Sequence, residues 1–133
     1  VGGGCRGAGC AGGPGHGTRR VTTLRVSPRG EARWVQGHPW IYRSDVLDES
    51  GEAGLVSVTD ARGRFLGQAL HSPRSEIRLR LLERTDRPVD GAWWLAQGAA
   101  AASRRQGIDA TAWRVIYGEG DGLPSLIVDR YAR

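Results

Sequence analysis

GLVSVTDARGRFLGQALHSPRSEIRLRLL, residues 54–82, decides the fold. Residues 54–59 are a β-branched strand, Asp60-Ala61-Arg62-Gly63 supply turn residues, and Arg64 to His71 returns as the partner, which predicts a hairpin. Ile77 to Leu82 then alternates Ile77, Leu79 and Leu81 against Arg78 and Arg80. Successive side chains of a strand point to opposite faces, so this strand has one apolar face to bury and one guanidinium face to offer.

Towards the N-terminus, Val21 to Val26 carries Leu24 and Val26 at period two and predicts a short strand, closed by Pro28 and Gly30. Glu31 to Gln36 has room for one or two helical turns before Gly37, and Pro39 prevents their continuation. In Gly37-His38-Pro39-Trp40-Ile41-Tyr42, glycine permits a positive φ, proline fixes its neighbour as extended, and Trp40 offers a large ring with a donor nitrogen. Two readings of this turn stand side by side. In one, Trp40 anchors a small barrel core and His38 is a surface or capping residue. In the other, Arg29, Arg33 and Arg43 flank the turn and join Arg78 and Arg80 in a cationic groove. Arginine pairs bidentately with phosphate and stacks on bases, so that groove would suit RNA.

The pattern breaks around Thr85 to Pro88. Asp90 is a good N-cap for a helix through WWLAQGAAAASRRQ, with Arg104 and Arg105 complementing the dipole and Gly107 supplying the stop. Trp93, Ala96, Ala100 and Ser103 or Arg104 are expected to share its packed stripe. Trp113 to Tyr117 and Leu126 to Asp129 predict two further strands joined by GEGDGLPS. That loop lacks the lysine and Ser/Thr of a phosphate-binding loop and the ligand series of an EF-hand. It is either a tight strand connection or a loop whose Glu119 and Asp121 face a substrate supplied by a neighbouring domain. The chain stops at Arg133 directly after a strand, which suggests that something followed.

With 133 residues, the chain can hold one ordinary domain or two very small ones. No apolar run approaches the roughly 20 residues needed to cross a bilayer, and the start has no signal-peptide core, so a cytoplasmic protein is expected. All 19 basic residues are arginine, and the net charge is +5. Residues 1–20 contribute +3 of it from Arg6, Arg19 and Arg20 with no acid, and hold nine of the 21 glycines. Such a leader buries too little surface to offset its ordering entropy, so it is expected to be disordered. Cys5, Cys10 and His16 lie there without a fourth ligand at regular spacing, so no metal site is predicted. The rest of the chain has no cysteine nucleophile, no Ser/His/Asp set in plausible context, and no glycine-rich strand-to-helix turn followed by an acidic residue. Neither catalytic nor cofactor-binding residues are therefore assigned.

The runs LRVSPRGEARWVQGHPWIYRSDV, RGRFLGQALHSPRSEIRLRLL and WRVIYGEGDGLPSLIVDRY together resemble the N-terminal half of a known family. It is that of the class I S-adenosylmethionine-dependent methyltransferases that make 5-methylcytosine in large-subunit (23S) ribosomal RNA. The resemblance spans roughly residues 22–133 in collinear order. It implies an α+β chain: a Gly-rich leader over 1–20, a small RNA-binding PUA-type β-barrel over 21–84, and a partial strand-strand-helix-strand-strand domain over 85–133. It also implies that the Rossmann-like catalytic domain, which binds S-adenosylmethionine and carries the catalytic cysteine of the C5 adduct, is missing, so no cofactor is bound here. The implied RNA-binding residues are Arg29, Arg33, Gly37, His38, Trp40, Arg43, Arg78 and Arg80. The implied substrate-facing loop is Glu119, Asp121, Gly122, Leu123 and Pro124. Gly120 stands where the family more often has alanine, and Ser125 where it more often has glycine. Ribosomal RNA is the expected partner and the chain the RNA-binding portion of the enzyme. The alternative is a self-standing PUA-type RNA-binding adaptor.

Overall fold

The computed structural model describes residues 21–48 and 51–132; the leader, with Cys5, Cys10 and His16, lies outside them. The first unit is β1 (Thr22–Arg25), α1 (Pro28–Val35), β2 (Trp40–Tyr42), β3 (Gly54–Thr59), β4 (Phe65–His71) and β5 (Ile77–Glu83). The expected hairpin is β3 and β4, closed where Asp60 Oδ1 accepts the backbone N–H groups of Arg62 and Arg64 at 2.9 and 2.8 Å. β5 continues the antiparallel ladder, β2 pairs with β5, and β1 adds to β3 in parallel.

The sheet order is β1-β3-β4-β5-β2, so the expected closed barrel is corrected to an open five-stranded sheet. Its edge strands β1 and β2 share no ladder. Beyond them, among the described residues, the chain meets at a single β-bridge between Val26 and Val46 and at the Arg25–Asp48 ion pair, because the segment after β2 turns inward at Arg43 instead of extending.

Helix α1 begins three residues before the expected Glu31. Ser27 caps it by accepting the Gly30 N–H at 3.2 Å, and Pro28 occupies a first-turn position where its missing N–H costs nothing. Gly37, at φ +88°, ends the helix, and the Pro39 carbonyl accepts the Leu81 N–H at 2.8 Å, so the chain enters β2 beside β5. Helix and sheet enclose Leu24, Val26, Trp34, Ile41, Val56, Val58, Ala69 and Leu79, all at most 1% exposed. Each large side chain so buried contributes about 1.5–3 kcal/mol. The Trp34 indole donates to the Leu66 carbonyl at 2.9 Å and lies so close to β4 that a Cβ on Gly67 would come within 2.9 Å of the ring and 2.5 Å of the Glu83 carbonyl.

The second unit is α2 (Gly91–Ser103), β6 (Ala112–Tyr117) and β7 (Ile127–Tyr131). Asp90 caps α2 as expected, accepting the Trp93 N–H at 2.9 Å. The packed stripe differs from the expected one: Trp93 and Ala101 are buried, whereas Ala96 and Ala100 are exposed. An alanine run offers little apolar contrast around the helix, so the two tryptophans at its start set its rotation. Trp93, Ala101, Ile116 and Leu123 form a second core that takes in Leu82 from β5. Residues 84–90 contain no strand, so helix-strand-strand is what stands here of the expected five-element pattern. Among the described residues, no helix is long and apolar enough to cross a membrane.

Candidate nucleic-acid interface

After Tyr42 the chain makes one 3-10 turn, Arg43–Asp45, that presses Asp45 against the start of α1. The Ser27 N–H donates to the Asp45 carbonyl at 2.8 Å, and a Cβ on Gly30 would lie 3.1 Å from the Asp45 Cβ, so glycine is what permits this approach. The Asp45 side chain is only 2% exposed, yet it is ringed by cations. Arg29 donates from Nε to Asp45 Oδ1 at 2.7 Å and from Nη2 to Ser44 Oγ at 3.0 Å. Arg33 Nη1 stands 3.6 Å from Asp45 Oδ2, while its guanidinium lies 5.0 Å from the centre of the Tyr42 ring. A buried carboxylate with charged partners holds those partners in fixed geometry.

Arg29, Arg33 and Arg43 of the expected groove therefore meet around one turn. Arg78 joins them from the sheet. The register shift opposite Ile41 and Tyr42 leaves Arg78 without a cross-strand partner; its guanidinium folds back to the Pro73 carbonyl and shares with Arg43 a recess of about 270 Å³, also lined by Val46, Asp48 and Pro73. Arg80 does not join. It sits opposite Trp40, and its side chain, 19% exposed, turns to Ser72 Oγ at 3.2 Å and Glu119 at 3.9 Å. The guanidinium face expected of β5 is thus divided between the basic turn and the junction with the second unit. Gly37 shapes the turn. His38 is exposed, with Nδ1 3.2 Å from the Trp40 N–H, and its ring lies 6.4 Å from that of Tyr42. Trp40 is half-buried, and its indole N–H has no partner among the described residues. A wider recess of about 630 Å³ opens between Arg33, His38, Tyr42, Ser44 and Glu76.

The loop expected to face a substrate is a 3-10 turn, Gly118–Asp121, left through Gly122 at φ +71°. Asp121 faces inward, its side chain 2% exposed. It accepts from Arg105 at 2.7 Å, from Arg104 at 2.7 Å and from the Tyr117 N–H at 2.7 Å. The Arg105 guanidinium leads in holding this carboxyl well below the usual carboxylate range, ahead of the opposing burial. The two arginines expected to complement the α2 dipole thus reach across to this loop. Leu123 and Pro124 are buried too, which leaves Glu119 and Gly122 as the exposed members of the set. This geometry does not fit an adenosyl cofactor: the turn runs into β7 instead of a helix, and its carboxylate is consumed internally. Among the described residues, no group of three His, Cys, Asp or Glu could hold a metal ion.

Glu83, at the end of β5, joins the units. Burial opposes its ionisation, but the N–H and hydroxyl of Thr85, the Trp93 indole at 3.0 Å and the Arg87 guanidinium outweigh it and bring its pKa down to about 2. Gln68 adds a bond to the Arg87 carbonyl at 2.6 Å. Glu83, Asp45 and Tyr42 all escape sequence reasoning. The one available signal was an acid, Asp45, embedded among arginines.

Residues 24–84 match the family described as PUA-like domain. The chain is 44% identical over 122 residues to a ribosomal RNA large subunit methyltransferase of Deinococcus radiodurans, covering 82% of this chain and 30% of that protein. It is 35% identical over 102 residues to ribosomal RNA large subunit methyltransferase I of Alteromonas mediterranea, covering 71% and 26% respectively. The chain thus spans about 30% of the length of such relatives. Among solved structures, a Streptococcus mutans protein described as a candidate SAM-dependent methyltransferase superposes with TM-score 0.74 at 17% identity, over 84% of this chain and 31% of that one. A candidate methyltransferase complexed with SAH gives 0.71 at 18% identity, over 84% and 30%.

Proposed function

We propose, for a chain that carries a PUA-like domain and is homologous to ribosomal RNA large subunit methyltransferases, that it is the RNA-recognition portion of such an enzyme and binds structured ribosomal RNA. The observation that carries the reading is the convergence of Arg29, Arg33, Arg43 and Arg78 around the turn at Asp45. Arg29 and Arg33 are held in place by the buried acid, and Arg43, exposed and paired only with the exposed Glu76 at 4.0 Å, can turn to a phosphate backbone. Trp40, His38 and Gly37 give that surface its shape beside the basic turn. Glu119 and Gly122 belong to the face turned towards the substrate, and Asp121, Leu123 and Pro124 hold their loop rigid from within.

The similarity runs through both units and covers 82% of the chain, which favours an enzyme portion over a self-standing adaptor. In the whole enzyme, S-adenosylmethionine would supply the methyl group and cytosine C5 of 23S RNA would receive it, in the cytoplasm. The turn at Gly118–Asp121 does not fit that cofactor, and the part proposed for this chain is recognition and positioning.

The test is retention of a large-subunit RNA fragment on a filter as salt is raised. Binding should weaken steeply, and Arg43→Glu with Arg78→Glu should weaken it about 100-fold and flatten the slope of log K against log salt by about 2. No retention at low salt, or a slope near zero, would sink the reading.

A further inference from the structure

We infer that the recess between Arg33, His38, Tyr42, Ser44 and Glu76 is a pocket for one unpaired RNA base. The inference rests on the RNA-binding reading above and adds to it how part of the RNA is read.

Charge argues against a phosphate here. Arg33 is committed to Asp45 at 3.6 Å and to the Tyr42 ring at 5.0 Å, and Glu76, 83% exposed, lines the recess and sets its negative charge against the neighbouring Arg43 at 4.0 Å, so the recess itself presents no uncommitted cation to a phosphate. What the recess does offer is flat surface. The phenol of Tyr42, the imidazole of His38 at 6.4 Å and a guanidinium plane converge on it. Aromatic rings and arginine planes are the groups on which splayed bases stack. Polar groups at the edge suit the rim of a heterocycle. The oxygens of Glu76 can accept amino or imino hydrogens, while Ser44 Oγ, which accepts from Arg29 at 3.0 Å, keeps its own proton to donate. Arg43, with Arg78 beyond it, stands alongside to take the backbone on either side of the inserted base. The recess, about 630 Å³, is shallow and open to solvent, so a base can reach it without any rearrangement of the chain. Arg33 is held to Asp45 and Ser44 to Arg29, so two of the lining side chains are set before RNA arrives.

The experiment compares a short single-stranded RNA with a duplex of the same sequence. Tyr42→Ala should cost about tenfold in affinity for the single strand and less than about twofold for the duplex, with the salt slope unchanged, while Tyr42→Phe stays close to the parent. Should Tyr42→Ala fail to fold, ultraviolet crosslinking of the unaltered chain decides, and the crosslinked peptide must contain His38 or Tyr42. Crosslinks confined to other segments, or a Tyr42→Ala chain that folds and binds the single strand like the parent, would overturn the pocket while leaving RNA binding intact. Failure of the unaltered chain to retain either RNA would overturn both.

Discussion

Trp34 and Trp93 are the buried tryptophans of the two units, at 1% and 5% exposure, yet what surrounds them differs in kind. Trp34 lies among seven other apolar residues that a helix and a five-stranded sheet enclose from two sides. Trp93 has three buried partners, borrows Leu82 from the neighbouring sheet and ties its indole to Glu83, while every residue of β7 is exposed. One region coheres through apolar area; the other depends on two carboxylates. A two-stranded hairpin is marginal by itself, so the second region owes its order to the first and to these polar joints.

The sharpest way to break this contrast is Trp34→Ala. It should cost about 3–5 kcal/mol and lower the denaturant midpoint, and hydrogen-exchange protection of α2 should disappear along with that of the sheet. Persistence of α2 protection would show that the second region stands alone. Asp121→Asn should come next, at about 3 kcal/mol, because it leaves Arg105, whose side chain is 20% exposed, without its counter-charge. The loss should be read by exchange in residues 91–131 and spare 22–82. Equal loosening of both regions would erase the distinction. The smallest effect is pH-dependent. Glu83 is depressed from 4.5 to about 2, so its contribution is complete above 4.5 and is lost as pH falls towards 2. On the order of 2–3 kcal/mol should vanish across that window, visible in Trp93 fluorescence, and Glu83→Gln should flatten the acid limb.

The parts of the fold that were legible are those where local chemistry and tertiary demand agree. The β3–β4 hairpin announces itself because strand alternation and the Asp60 turn point the same way. The start of α1 was obscured because Pro28 and Gly30 also read as strand breakers; Ser27 as a cap resolves the ambiguity only once the chain is folded. Closure of the sheet into a barrel depends on pairing between β1 and the segment after β2, which no local pattern encodes. At the site, the arginines could be named from sequence, but their grouping could not. The irregularity at Arg78 separates it from Arg80, and the acid that gathers Arg29 and Arg33 is an inconspicuous aspartate. The loop at Asp121 misled for the opposite reason. One exposed-looking acid, Asp121, is drawn inward by Arg104 and Arg105 from a helix end that they seemed only to cap.

The parallel pairing of β1 with β3, Thr22 against Val56 and Arg25 against Thr59, bears on how this domain is made. Its first strand leaves the ribosome more than thirty residues ahead of the one it must join. The β3–β4 hairpin, whose contacts are near in the chain, is favoured to form first, and β1 docks later, as does β2, whose pairing with β5 closes a loop at least as long. Until β1 docks, β3 presents a bare edge, so a nascent chain that stalls at this stage is the form most exposed to self-association.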